Sequence, residues 1–339
     1  MKRNRTTLAL PAAFFFLAAA GITALSSGSA GIPLTKVISI IMRGDTGPEY
    51  SILLDLRLPR IILAFAVGGS LSIAGVILQG MFRNPLVEPY TLGISGGAAL
   101  GAALCIILGL QAVFPVCALP FSGFLGSCLV IAPLYLLNMR QNILRMQGIL
   151  LTGVMTSFIS SSLVVLILAI SRTEELHSIV FWIMGSLEES NWSLIIMVAI
   201  LAIVSLVLSY IFAPALNALS LGEEEAVHLG VNTDKVKKQL FLIASLLTGI
   251  SVSLTGIIGF VGLIVPHFVR AMTGYDHMRL LIVSFLTGAG FLIFCDTIAR
   301  TVLAPIELPV GVITGIVGGS IFIYILTRRQ LSGRAGGSL

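Results

Sequence analysis

The side chains able to do acid, base, thiol or metal chemistry are few and widely spaced in this sequence. The histidines and cysteines are His177, His228, His267, His277, Cys105, Cys117, Cys128 and Cys295. Metal sites and catalytic centres usually show such residues at short, recognisable spacings, and none occurs here. The Gly-x-x-x-x-Gly-Lys-Ser/Thr loop that holds nucleotide phosphates is also absent from the sequence. The sequence therefore predicts no catalytic residue, no metal site and no cofactor bound by this chain.

Three arginines have positions that favour recognition of carboxylates. Arg57, Arg60 and Arg300 stand at the ends of apolar blocks, where a guanidinium can pair with acids of another protein. Snorkelling to the membrane surface, or pairing with Asp55 and Asp296, is an alternative that the sequence leaves open. Asp296 precedes Arg300 by one helical turn, which predicts an ion pair within one helix.

A polar segment at 217–234 is the second candidate site. Acids at its centre favour the start of a short helix, because negative charge is stabilised at a helix N-terminus. Its candidate contact residues are Leu221, Gly222, Glu223, Glu224, Leu229 and Gly230. A short amphipathic helix on a membrane surface suits docking of another protein, although periodicity alone fits a plain connector equally well.

The composition determines what must position these residues. Of 339 residues, 57% are hydrophobic and 10% are charged, against about 25% charged in soluble domains. This excludes a soluble globular protein. The net charge of +5 comes from short separated clusters without interleaved aromatic residues, so we expect no nucleic-acid partner.

The apolar residues form blocks long enough to cross a bilayer, which requires about 20 residues each. We predict an all-α polytopic protein with a single membrane domain. The predicted spans are 8–30, 61–81, 91–110, 112–137, 148–170, 192–216, 239–257, 259–272, 280–303 and 308–327. The first could also be read as a signal peptide, but its length favours a retained span.

The stretch 239–272 decides the number of spans. Gly256, Gly259 and Pro266 favour a break within it. Cytoplasmic loops collect Lys and Arg, and a break places most of the 20 basic residues inside. One unbroken span would divide them evenly. We therefore predict about ten transmembrane helices with both termini in the cytoplasm.

Ordered motifs over most of the chain resemble the FecCD-type permeases of iron-siderophore, haem and cobalamin uptake, including the vitamin B12 importer permease. The 220–231 segment resembles their coupling-helix loop. Further matching segments are Arg57-Leu58-Pro59-Arg60, Arg83-Asn84-Pro85-Leu86, Leu92-Gly93-Ile94-Ser95-Gly96-Gly97, Gly259-Phe260-Val261-Gly262 through Pro266-His267, and Glu307-Leu308-Pro309-Val310-Gly311. Glu188 and Glu189 depart from the family pattern, in which small residues are commoner.

The resemblance implies one subunit of a type II ABC importer in a bacterial or archaeal cytoplasmic membrane. Its partners would be a second copy or a close paralogue, two cytoplasmic ATPase subunits and an extracytoplasmic binding protein. ATP and Mg²⁺ would be held by the ATPase, so the chain itself would not be an enzyme.

The resemblance also assigns roles to residues. The 220–231 segment would couple to the ATPase, and Arg57, Arg60 and Arg300 would dock the binding protein. The fifth and tenth spans would line the translocation path. Its gate and wall would include Leu86, Met146, Gln147, Thr152, Thr156, Ser160, Gly311 and Gly315. Hydroxyl groups that bond back to their own helix are the alternative for the fifth span.

The ligand cannot be read from the sequence, because selection in this family rests largely with the binding protein. A ferric siderophore is our first expectation, and cobalamin or haem the alternative. An ion-coupled secondary transporter is the rival class, but it would require intramembrane acids or ion-binding broken helices, and Asp296 is the one evident candidate.

Overall fold

A computed structural model describes residues 2–28, 31–43, 47–140 and 146–335. Regular structure in these ranges is helical. The helices are α1 (Lys2–Ser26), α2 (Leu34–Arg43), α3 (Pro48–Ser51), α4 (Leu58–Phe82), α5 (Ile94–Ile107), α6 (Leu110–Val113), α7 (Ala118–Arg140), α8 (Met146–Ile170), α9 (Thr173–Met184), α10 (Trp192–Ile211), α11 (Ala213–Leu221), α12 (Glu223–His228), α13 (Thr233–Thr255), α14 (Val261–Thr273), α15 (His277–Thr301) and α16 (Val310–Ala335). A π-helical stretch, Ile52–Arg57, joins α3 to α4.

Within the described residues, the ten predicted spans fall on ten apolar helices. Seven are long and apolar enough to cross a membrane, and α5, α14 and the apolar part of α16 are shorter. The stretch 239–272 is divided between α13 and α14, which are separated at 256–260. No span is predicted over α2, and the structure packs its buried Val37 and Ile40 against Leu53.

Side-chain caps fix where several helices begin. Asn191 accepts hydrogen bonds from the backbone of the first turn of α10, Asn232 does so for α13, and Asp276 for α15. These side chains satisfy N–H groups that have no partner within the helix. Local sequence therefore sets these helix starts on the polar edges of the apolar blocks.

Helix α4 is the centre of the bundle and packs against α10, α13, α14 and α15. Glycines allow its backbone to touch its neighbours. A Cβ on Gly75 would lie 2.7 Å from the carbonyl carbon of Gly262 in α14, and one on Gly68 would lie 2.9 Å from that of Gly288 in α15. Small residues at helix crossings permit such approach in membranes. Gly97 likewise lies against Gly126 of α7.

The loop before α5 and the break between α13 and α14 meet inside the bundle. The Tyr90 hydroxyl donates to the carbonyl of Ile258 at 2.9 Å, and the backbone N–H of Phe260 donates to Glu88 at 2.7 Å. Irregular backbone at membrane depth is tolerated where protein groups satisfy it. These contacts explain why α5 and α14 are short, since both helices start at this junction.

Candidate functional site

The polar segment between α11 and α13 contains the predicted short helix, α12. Gly222 has φ 148° and Gly230 has φ 83°, which L side chains rarely adopt. Both glycines are therefore required by the backbone turns that set α12 apart from its neighbours.

One ion pair and one buried methyl group anchor α12 to the bundle. Glu223 pairs with Lys237 of α13, whose side chain is 1% exposed, and Ala226 is fully buried. A buried lysine requires a carboxylate partner. Sequence reasoning missed Lys237, because a lysine near the start of an apolar block ordinarily faces water.

The opposite side of the segment presents apolar side chains to solvent. Leu221 is 66% exposed and Leu229 is 64% exposed, and Val227 is also exposed. We call these three residues the coupling patch. An anchored helix that displays a small apolar patch is a surface suited to contact with another protein.

The second site is a charge cluster at the end of the bundle predicted to be external. Arg60 contacts Glu307 at 2.6 Å, Asp296 at 3.2 Å and Glu188 at 3.8 Å. Arg300 donates to Asp296 at 2.9 Å, which confirms the predicted pair within one helix. Arg60 thereby links α4 to α15 and to the loops that follow α9 and α15.

Arg57 and Arg300 lie inside this cluster rather than on its surface. They are 3% and 4% exposed. Arg57 donates to the carbonyl of Leu25, and Arg300 to that of Ala24 at 3.5 Å. Both acceptors belong to the last turn of α1, whose carbonyls have no partner within the helix. Arg300 therefore forms the structural pair with Asp296, and Arg57 bonds to a main-chain carbonyl.

A cavity of about 400 Å³ opens beside the cluster. Its wall includes Arg57, Arg60 and Arg300, together with Glu188 and Glu189. The three arginines that the sequence singled out are therefore brought together at one concave surface. The two acids that depart from the family pattern stand beside them.

The pKa values of two carboxyl groups in the loops of this cluster, Glu188 and Glu307, are shifted in opposite directions. Burial raises the pKa of Glu188, and attraction by Arg60 offsets this only in part. Burial would also raise the pKa of Glu307, but the hydrogen bond from Arg60 and its positive charge hold that pKa below its ordinary value. Arg60 thus keeps Glu307 ionised more strongly than it does Glu188.

These shifts predict opposite effects of two matched substitutions. A depressed pKa contributes stability above the unfolded value of about 4.5 that is lost as pH falls, so Glu307→Gln should lower the unfolding temperature at about pH 7. A raised pKa means that ionisation of the carboxyl group costs stability as pH rises. Glu188→Gln should therefore raise the unfolding temperature at about pH 7.

Both differences should shrink as the pH is lowered towards about 4, and the difference for Glu307 should shrink more slowly because its carboxyl group stays ionised to lower pH. Thermal unfolding of the purified variants at the two pH values measures them. Differences that are the same at both pH values would show that these carboxyl groups act through packing and not through charge.

The predicted translocation residues lie in several environments. The hydroxyls of Thr152 and Thr156 donate to carbonyls of their own helix at 2.8 and 2.7 Å. Ser160 is buried, and a Cβ on Gly96 would lie 3.1 Å from its Cβ. Leu86 is exposed on the loop after α4. The hydroxyls of Thr152 and Thr156, which were predicted to line the translocation path, therefore form hydrogen bonds within their own helix.

The remaining predicted path residues are on α8 and α16. Met146 and Gln147 begin α8, and their side chains lie outside the described residues. A Cβ on Gly311 would press on the carbonyl groups of Met184 and Ile257, so packing explains this glycine. A Cβ on Gly315 would meet nothing within 4 Å, and Gly315 therefore remains a path candidate.

The chain matches known proteins over most of its length. Residues 16–328 match the FecCD transport family. The chain belongs to the FecCD transport family. It is thus a multi-pass membrane protein and a permease component of an ABC importer.

Relatives of this FecCD family chain cover nearly its whole length. The hemin permease HmuU of Yersinia pestis is 36% identical over 93% of this chain and 95% of its own. The Fe(3+) dicitrate permease FecD of Escherichia coli is 38% identical over 94% and 98%. The cobalamin permease BtuC of Halobacterium salinarum is 39% identical over 81% and 73%.

A solved structure gives the same picture of the FecCD fold. It is an inward-facing conformation of an ABC transporter assigned to the metal-chelate type. Its TM-score is 0.82 at 31% identity, covering 95% of this chain and 99% of that one. This likeness over almost all of both chains supports the helical arrangement described above.

Proposed function

We propose that this permease translocates an iron chelate, with a ferric siderophore as the first candidate. The observation that carries the proposal is the set of close full-length relatives named for ferric dicitrate and hemin. Cobalamin is the second candidate, because a relative of similar identity is named for it. A further relative is named for molybdate, so the ligand has to be measured.

We propose that the working unit contains two permease chains and two cytoplasmic ATPase subunits and receives its ligand from an external binding protein. The chain has no phosphate loop of its own, which supports a separate ATPase. The exposed apolar faces of α8 and α16 include Phe158, Ile159 and Ile316, and they suit contact with a second copy or with lipid.

The test is uptake into proteoliposomes that contain the chain, its cognate ATPase and its binding protein. We expect no ATP hydrolysis by the chain alone and ATP-dependent uptake of a ferric siderophore by the complex. Haem, cobalamin and molybdate serve as competing ligands. Uptake driven by a proton or sodium gradient without ATP would instead establish the secondary-transporter alternative.

We propose that the outer cavity docks the binding protein through carboxylates that pair with Arg57, Arg60 and Arg300. The cavity supports this proposal because it collects all three guanidinium groups. An incoming carboxylate would have to compete with Glu188 and Glu307, which already contact Arg60. Complementary charge affects association rate and register more than affinity.

This proposal predicts faster docking when the competing acids at the cavity rim are neutralised. The double variant Glu188→Gln with Glu189→Gln should raise the association rate, because it removes two negative charges that repel the incoming carboxylates. The increase should be largest at low salt, since at physiological ionic strength salt screens charges beyond about 8 Å. Glu174→Gln is the matched control, since Glu174 is exposed on α9 and does not line the cavity. Surface plasmon resonance with the cognate binding protein measures the rates. Slower association in the double variant would show that the acids themselves attract a basic partner surface.

A further inference from the structure

A second, larger cavity lies at the opposite end of the bundle, predicted to be cytoplasmic. Its volume is about 680 Å³, and it is bounded by the ends of α4, α11, α14 and α15. The polar residues of its wall include Arg83, Asn84, Ser220, Arg270 and His277. Neither the coupling patch nor the outer cluster uses these side chains.

The cavity wall carries positive charge that no carboxylate balances. Arg270 donates to the side-chain oxygen of Gln79 at 3.0 Å, and it forms no ion pair with any residue that the structure describes. Within the same ranges the side chain of Arg83 has neither an ion pair nor a hydrogen bond, and the described wall contains no Asp or Glu. At the outer cluster, by contrast, Arg60 contacts three carboxylates. A half-buried guanidinium without a counter-ion is costly, which points to an anion.

His277 lies in the wall and is held in place by Asn217. Its Nδ1 and its backbone nitrogen both lie 2.8 Å from Oδ1 of Asn217, while Nδ2 of Asn217 donates to Asp276 at 3.0 Å. This chain of bonds fixes Asn217 Oδ1 as the acceptor and therefore places the imidazole proton on Nδ1. Nε2 then carries no proton, and it is enclosed by the bundle without a partner among the described residues, since His277 is 2% exposed.

Gly80 leaves room for this atom. A Cβ on Gly80 would lie 2.7 Å from Nε2 of His277, so any other residue there would push the imidazole aside. Arg83 lies one turn further on, at the end of α4, in a left-handed conformation with φ 49°. The backbone there is one that non-glycine residues adopt only at a cost, and it keeps Arg83 on the cavity wall.

We propose that this inner cavity binds a phosphate group. Arg83 and Arg270 would hold its anionic oxygens by charge-assisted hydrogen bonds. Two sources share this chemistry: free phosphate and an anionic phosphatidylglycerol headgroup. Ser220 lies in the wall next to Leu221 of the coupling patch, so the bound group would contact the helix that precedes that patch.

The test uses the full chain in detergent and in nanodiscs, with thermal unfolding as readout. A ligand that binds only the folded state raises its stability. In phosphatidylcholine nanodiscs, sodium phosphate is compared with sodium chloride at equal ionic strength. In phosphate-free buffer, phosphatidylglycerol nanodiscs are compared with phosphatidylcholine nanodiscs. A shift in the first arm identifies free phosphate, and a shift in the second identifies the lipid.

Arg83→Gln and Arg270→Gln should weaken the apparent affinity by about tenfold or more, the usual effect of losing a charge-assisted hydrogen bond. Arg279→Gln is the matched control, because Arg279 lies near the same end but is exposed and outside the wall. Arg83 is exposed, so its variant should fold even if the Arg270 variant does not. Absence of a shift in both arms, or an unchanged response in Arg83→Gln, would overturn the proposal.

Discussion

Replacing Gly75 by alanine is expected to destabilise the chain severely, whereas the same change at Gly315 should be harmless. A Cβ on Gly75 would lie 2.7 and 2.9 Å from the carbonyl carbon and Cα of Gly262. These are backbone atoms, which cannot rotate away. Overpacking typically costs about 1–3 kcal/mol, and the effect here should reach the upper end of that range or exceed it. That is a large part of a total stability of about 5–15 kcal/mol.

Gly315→Ala provides the matched control on another helix. Nothing lies within 4 Å of its added Cβ, and alanine gains about 1 kcal/mol of helix propensity over glycine. The yield of monodisperse protein and the unfolding temperature of the purified chain measure both variants. Equal behaviour of the two alanine variants would mean that the contact between α4 and α14 can relax at little cost.

Glu223→Lys is expected to abolish coupling between ATP hydrolysis and uptake. The change removes the carboxylate from Lys237, which is 1% exposed, and replaces it with a second cation. Leaving a buried charge without its partner costs about 3–5 kcal/mol. We therefore expect α12 to detach from the bundle, so that ATPase movement no longer reaches the spans. Uptake should fall at least about tenfold, the factor that 1.4 kcal/mol represents, while hydrolysis continues.

Two companion variants separate this mechanism from a general charge effect. Glu174→Lys makes the same charge change at an exposed position outside the coupling segment, and it should retain most uptake. The exchange of Glu223→Lys with Lys237→Glu restores an ion pair and should recover part of the activity. Gly222→Val should also uncouple, because its φ of 148° disfavours a side chain. Unchanged uptake in Glu223→Lys and Gly222→Val would leave this segment a plain connector.

The coupling segment was the part of the candidate sites that local sequence predicted best. Its bracketing glycines and its acidic helix start are short-range signals, and α12 lies between them as expected. The ion pair with Lys237 was not predictable in the same way, because it joins α12 to another helix. Likewise, the spacing of Asp296 and Arg300 predicted their contact, whereas the partners of Arg60 came from distant parts of the chain.

The sequence by itself determined the membrane class, the approximate spans and the family. A bilayer requires long apolar blocks, and their lengths and order can be read directly from the sequence. The tertiary structure decided which charges are buried and paired and which glycines form helix crossings. It also decided which arginines have no carboxylate partner among the described residues. Coulomb attraction and close packing depend on separation in space. Arg60 and Glu307 are 247 positions apart in sequence but 2.6 Å apart in the folded chain. Only the packed bundle brings such groups together.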